Sequence, residues 1–168
     1  QLHKSNILEL KFVPKSWNLL WWLDQKAFVI DFDGLLMCSI IGYYGNDLAA
    51  PIMVRGLSKM EYRGYDSVGV ATKSGDSILV KKGVGRVAQV NESVSLDSLP
   101  GKIGIGHTRW ATHGIVNSQN AHPHYSNSTK IALVHNGTLE NDDELREFLI
   151  NEGFEFSSET DTEVIVNL

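Results

Sequence analysis

The chain has 168 residues, 42% apolar and 21% charged, and its 15 Lys and Arg against 20 Asp and Glu give a formal net charge of −5. That size suits one folded domain of roughly 100–200 residues with its own core, and the mild acidity removes any global reason to expect nucleic acid or a membrane as partner. The single cysteine, Cys38, excludes an internal disulfide, so nothing points to an oxidising compartment and a cytoplasmic protein is expected.

The first segment, 1–37, holds Trp17, Trp21 and Trp22, three of the four tryptophans, in an apolar run "WNLLWWL". Asp24, Lys26, Asp31 and Asp33 interrupt it long before the ~20 apolar residues a spanning helix needs. No small-x-small cleavage site precedes Met37, so a secretory signal fits poorly. The segment is expected to be a leader: a prosegment, or upstream sequence added by a misplaced gene start. The domain proper is expected over 38–168.

From Cys38 the signals are regular. "CSIIGYYG" reads as a short buried strand closed by glycines. Asn46 or Asp47 is expected to cap a helix running to about Met60, with Ile52, Leu57 and Met60 on one face. "SVGVATKSGDSILVKKG" predicts a hairpin turning at Ser-Gly-Asp. Strands are expected at 102–108 and 129–135. Asn141 with Glu144 resembles a capping box opening a second helix, and Thr160 with Glu163 opens a third. Strands in hairpins with helices set apart argue for an α+β fold built on antiparallel sheets. The third helix has barely begun where the sequence stops, which reads as a piece of something larger.

Polar chemistry concentrates in one region. His107, His113, His122, His124 and His135 lie near Arg109, Asn120 and Asn136. Either the imidazoles bind a metal or they line a polar pocket at strand ends. The second is preferred because neither H-E-x-x-H nor C-x-x-C occurs, so no metal and no cofactor are expected. Arg109 presents a planar fork suited to a carboxylate, or forms a structural ion pair. Asn136-Gly137 is either a plain turn or a pair of N–H donors able to hold an oxyanion. Asp161 either caps its helix or pairs with a ligand ammonium. Cys38 is either an inert core filler or a reactive thiol. "KKGVGRV" lacks the third glycine of a dinucleotide fingerprint, and the N-x-S/T triplets at Asn91, Asn127 and Asn136 are chance matches.

"MCSIIGYYG", "LSKMEYRGYDSVGVA", "GIGHTRWATHG", "NAHPHYS", "VHNGTLEN" and "SETDTEV" occur in this order from Met37 to the end. Together they resemble the glutaminase domains of class II glutamine amidotransferases, and "EYRGYDS" and "HTRWATHG" are most similar to the glutamine–fructose-6-phosphate aminotransferases (isomerising). The resemblance implies an N-terminal nucleophile hydrolase fold, a four-layer αββα sandwich of antiparallel sheets. It implies Cys38 as nucleophile and Asn136 with the Gly137 N–H as oxyanion hole. Arg109, with Thr112 and His113 nearby, would hold the α-carboxylate of L-glutamine, Asp161 its α-ammonium, and Trp110 would stand by the ammonia exit. It further implies that ammonia passes to fructose 6-phosphate on sugar isomerase domains absent from this sequence, in a homo-oligomeric parent. Another amidotransferase acceptor, or a silent glutamine-binding module blocked by the leader, are the alternatives. Ser39 stands where the family usually carries Gly, and its side chain is expected to affect the rate, by crowding the acyl intermediate or altering the backbone angle.

The position of Cys38 behind Met37 has a chemical reading. A thiol with pKa about 8.5 is mostly protonated at neutral pH, whereas a free α-amine with pKa about 7.7–8.0 is partly neutral and can take its proton. A peptide nitrogen cannot, because its lone pair is delocalised. Met37 therefore reads as the initiator, and its removal would give Cys38 its own base.

Overall fold

The computed structural model describes residues 18–21, 27–31, 38–110 and 115–168. Their centre is a six-stranded antiparallel sheet. In chain order the strands are β1 (Asn18–Trp21), β2 (Ala27–Asp31), β3 (Ser39–Tyr44), β4 (Ser67–Ser74), β5 (Ser77–Val84) and β6 (Ile103–Arg109). Their order across the sheet is β1-β2-β3-β6-β4-β5. The expected strand after Cys38, the hairpin and the 102–108 strand are β3, β4–β5 and β6. Within the segment read as a leader, β2 pairs along β3 with Ile30 opposite Ile40.

The strand register gives the sheet two unlike faces, because successive side chains point to opposite sides. Val68 and Val70 face helix α1 (Ala49–Met60), whose Met53 and Leu57 are fully buried among Ile41, Tyr43, Val87, Val90, Leu96 and Leu99. Burying a leucine such as Leu57 stabilises by about 1.5–3 kcal/mol, so this layer is the main hydrophobic anchor. Helix α1 begins at Ala49 with Leu48 as its cap residue, not at Asn46 or Asp47. The reason is tertiary: the Ala49 N–H is already satisfied by the Gly101 carbonyl at 2.9 Å. Helix α2 (Val87–Val94) packs beside α1 and was not expected. Only Val87 and Val90 of its eight residues are buried, too short an apolar pattern to show a period.

The opposite face carries a row of partners across four strands: Ile40 opposite His107, His107 opposite Gly69, Gly69 opposite Lys82. The 119–123 loop lies over this row. A Cβ at Gly69 would collide with the His122 carbonyl, so glycine is what lets the loop approach. Lys82 fastens it: Nζ donates to the carbonyls of Ala121 at 2.6 Å and of Gln119 and Pro123 at 3.2 Å. Burial pulls this ammonium down to about 8, with Glu163 pulling the other way, so it is still mainly charged at neutral pH.

Beyond the loop come β7 (His124–Tyr125) and β8 (Ala132–Leu133), a two-stranded second sheet. The strand expected over 129–135 is thus reduced to two residues. Its ladder cannot continue past Leu133 opposite His124, because the next partner on the β7 side is Pro123, which has no N–H. Helices α3 (Asp142–Asn151) and α4 (Asp161–Asn167) form the outer layer, packed through Leu139, Leu145, Leu149 and Val164. The layers read helix, sheet, short sheet, helix: the expected α+β, αββα order. Among the described residues no helix is long and apolar enough to cross a membrane.

If Lys82 is the fastener of the 119–123 loop, Lys82→Met strands three carbonyls and should lower the unfolding free energy by about 2 kcal/mol. An unchanged urea midpoint would show that the loop holds without it.

Candidate active site

The register places Ser39 opposite Thr108 and Arg109 opposite Ser67. The start of β3, the end of β6 and the start of β4 therefore meet at one sheet edge, and Cys38, Arg109, Trp110 and Asp66 meet there with them. The Trp110 N–H donates to Cys38 Sγ at 3.1 Å, and Sγ lies 3.5 Å from the Trp110 carbonyl. The Trp110 ring meets Tyr65 edge to face, centroids 5.4 Å apart. Among the described residues both Sγ hydrogen bonds go to backbone, and no side-chain base is among the partners. Burial pushes the thiol pKa up, Asp66 adds to that, and the Trp110 N–H and Arg109 work against it. The net effect is a protonated thiol at neutral pH, which needs a base before it can attack anything.

Asn136 reaches the same edge from the loop after β8. Its Nδ2 donates to the Cys38 carbonyl at 3.4 Å, and its Oδ1 lies 2.7 Å from His107 Nε2. Gly137 follows, where a Cβ would fall 2.5 Å from His135 Nε2, so any larger residue there must displace that ring. Arg109 is buried; burial pulls its pKa down, while Cys38, Asp66 and Asp161 act to keep it protonated. Asp161, first residue of α4, accepts the Leu139 N–H at 2.8 Å and the Thr162 hydroxyl at 3.3 Å, and His135 Nδ1 lies 3.9 Å away. Burial alone would raise its pKa, but the bonds from His135, Leu139 and Thr162 outweigh that and hold the carboxyl below its ordinary value. The edge thus offers a thiol, an amide donor, a buried guanidinium and an ionised carboxylate. The two opposite charges suit the two ends of an α-amino acid.

Of the residues singled out in the sequence, Cys38, Trp110 and Asn136 meet directly, and Arg109 acts electrostatically on both Cys38 and Asp161. Thr112 and His113 lie outside the described residues. Ser39 is buried and its hydroxyl donates to the Met60 carbonyl at the end of α1, 3.3 Å away. Its side chain is therefore engaged with the helix layer.

The sequence reading missed the use made of the histidines. His107, His122 and His124 stack edge to face, with centroids 4.3 and 4.9 Å apart. His122 Nδ1 lies 3.3 Å from His107 Nε2, His122 Nε2 3.0 Å from Thr162 Oγ1, and His124 Nε2 2.9 Å from Thr160 Oγ1. Burial is the main reason all three pKa values fall: His107 to about 4, His124 to about 3, His122 well below 6.5. Their clustering in the sequence was a signal, but spacing alone could not tell a hydrogen-bonded stack from a ligand set.

A family described as "Glutamine amidotransferase domain" matches residues 95–168. The chain is 53% identical over 132 residues to the glutamine–fructose-6-phosphate aminotransferase (isomerising) of Methanococcus maripaludis, 54% to that of Clostridium perfringens and 52% to that of Pyrococcus horikoshii. Each alignment covers 79% of this chain and 22% of the relative, so the chain spans about a fifth of the length of these relatives. Among solved structures it is similar to the glutamine phosphoribosylpyrophosphate amidotransferase of B. subtilis, with a TM-score of 0.64 and 33% identity over 75% of this chain and 28% of that one. A structure described as the allosteric regulatory enzyme of purine biosynthesis gives 0.66 at the same identity and coverage.

The buried histidines make an acid test. Each is neutral when folded and takes a proton near pH 6.5 when unfolded, so the unfolded state binds more protons as pH falls. Their contribution is complete above pH 6.5 and is lost progressively as pH drops toward 4, on the order of 3 kcal/mol for His107 alone. Urea unfolding at pH 7, 6 and 5 should show a steady fall in stability; a flat profile would mean the rings are charged or solvated.

Proposed function

The chain belongs to the glutamine amidotransferases, with the N-terminal nucleophile hydrolase fold, and on that premise we propose that Cys38 cleaves the side-chain amide of L-glutamine. The supporting observation is the setting of the thiol: partly buried, hydrogen-bonded to the Trp110 backbone and beside the Asn136 amide donor, with no hydrogen bond to an imidazole or carboxylate among the described residues. Such a thiol finds its base in its own α-amine, once the Met37–Cys38 bond is open.

Arg109 holds the glutamine α-carboxylate and Asp161 the α-ammonium. The Cys38 amine takes the thiol proton as Sγ bonds to the side-chain amide carbon, and the carbonyl electron pair moves onto oxygen. Asn136 Nδ2 and the Gly137 N–H stabilise that oxyanion, each such donor being worth about 2.7–4 kcal/mol of barrier. The C–N bond breaks, the proton held on the amine leaves with ammonia, and water cleaves the thioester to glutamate. In a protein of the relatives' full length the ammonia would pass to fructose 6-phosphate, the acceptor their names print.

A second reading rests on the pairing of β2 along β3. While that segment remains joined to Cys38, the nitrogen is a peptide nitrogen, and the domain binds glutamine without cleaving it. Intact-mass measurement of the natural protein separates the two, since a species beginning at Cys38 supports the enzyme.

Cys38→Ala should abolish ammonia release while glutamine binding by calorimetry stays within about threefold, the loss being confined to the bond-making atom. Protein still joined to residues 1–37 should be equally inactive, and full turnover by either species would overturn the mechanism. Arg109→Lys keeps the charge but loses the fork, so KM for glutamine should rise about tenfold, near 1.4 kcal/mol, with kcat less affected. An unchanged KM would assign Arg109 to a structural ion pair.

A further inference from the structure

A continuous run of buried polar contacts joins Asn136 to Asp161. It passes from Asn136 Oδ1 to His107 Nε2 at 2.7 Å, to His122 Nδ1 at 3.3 Å, from His122 Nε2 to Thr162 Oγ1 at 3.0 Å, and on to Asp161 Oδ1 at 3.3 Å. The direction of every bond is set by its two ends. The Cys38 carbonyl can only accept, so the Asn136 NH2 faces it and Oδ1 faces His107. Oδ1 can only accept, so His107 carries its proton on Nε2. That proton is shared with His122 Nδ1, which must be bare, so His122 carries its own on Nε2 and donates to Thr162. The Thr162 hydroxyl then donates to the Asp161 carboxylate at 3.3 Å, with His135 Nδ1 its other polar neighbour at 3.4 Å. His107 Nδ1 has no partner among the described residues, which suits a bare nitrogen better than a buried N–H. Both rings are neutral at pH 7, as this ordering requires.

We infer that His107 and His122 are positioning residues: held as Nε2–H tautomers by a chain anchored on Asp161, they lock the Asn136 amide with its NH2 toward Cys38. The inference rests on the reading of Asn136 as oxyanion donor. Without the His107 donor, the Asn136 oxygen is left unpaired and the 3.4 Å bond to the Cys38 carbonyl alone orients the amide, so its NH2 is held less firmly toward the developing negative charge. The same chain ties the oxyanion donor to the carboxylate that takes the substrate ammonium. The residue that binds substrate thereby helps orient the group that stabilises the transition state.

The test uses the mature full-length protein. His107→Leu should lower kcat about 100-fold with KM for glutamine within about threefold, while His107→Gln, whose amide N–H can stand near Nε2, should recover to within about tenfold of the parent. Affinity for the glutamine γ-aldehyde, which adds Cys38 to form a thiohemiacetal, should fall in parallel with kcat, and affinity for L-glutamate should not. The double variant with Asn136→Ala should be no slower than Asn136→Ala alone. Unchanged kcat in Asn136→Ala overturns the oxyanion reading and this inference with it. A slow Asn136→Ala beside a normal His107→Leu overturns only the inference. Should His107→Leu fail to fold, nitrogen NMR of the unaltered protein decides: Nε2–H tautomers at both His107 and His122 support the chain, and an Nδ1–H at either overturns it.

Discussion

The antiparallel pairing of β3 with β6 is the constraint on which the rest depends. With Ser39 opposite Thr108, the residue before β3 and the two residues ending β6 share one corner of the sheet. A slip of one residue would turn His107 toward the helices and move Trp110 away from the thiol. The slip is opposed by the apolar face: Ile41, Tyr43, Val68 and Val70 must all meet α1. A large hydrophobic burial on one side of the sheet thus holds a polar arrangement in place on the other.

That polar face is costly by itself. Imidazoles that lose water must find partners, and here each finds an amide, a hydroxyl or another ring. Lys82, carrying three loop carbonyls, does the same for backbone that the loop would otherwise leave bare. The result is a rigid polar layer between two hydrophobic ones. Such a layer suits a site that must hold small charged groups in a fixed orientation.

The thiol shows why the site needs more than proximity. Partial burial of the Cys38 thiol favours its neutral form. The Trp110 N–H and Arg109 reduce the penalty without cancelling it. An amine on the same α-carbon is a base that requires no further space, and its ordinary pKa already lies near neutrality.

By itself the sequence determined the periodic and the local: β3, the β4–β5 hairpin, β6, and the starts of α3 and α4. It also marked Cys38, Arg109, Asn136-Gly137 and Asp161 as candidates, whose expected roles came from the resemblance of the six motifs and not from local signals. The periodic and local features depend on neighbours in the chain, and neighbours are what a sequence displays. Only the tertiary structure decided the rest. It moved the start of α1 to Ala49, shortened the 129–135 strand and gave the histidines their partners. Each of these outcomes turns on a contact between distant segments: the Gly101 carbonyl for α1, Pro123 for β8, and the opening above Gly69 for His122. No local spacing encodes such contacts, because they exist only after the sheet has closed.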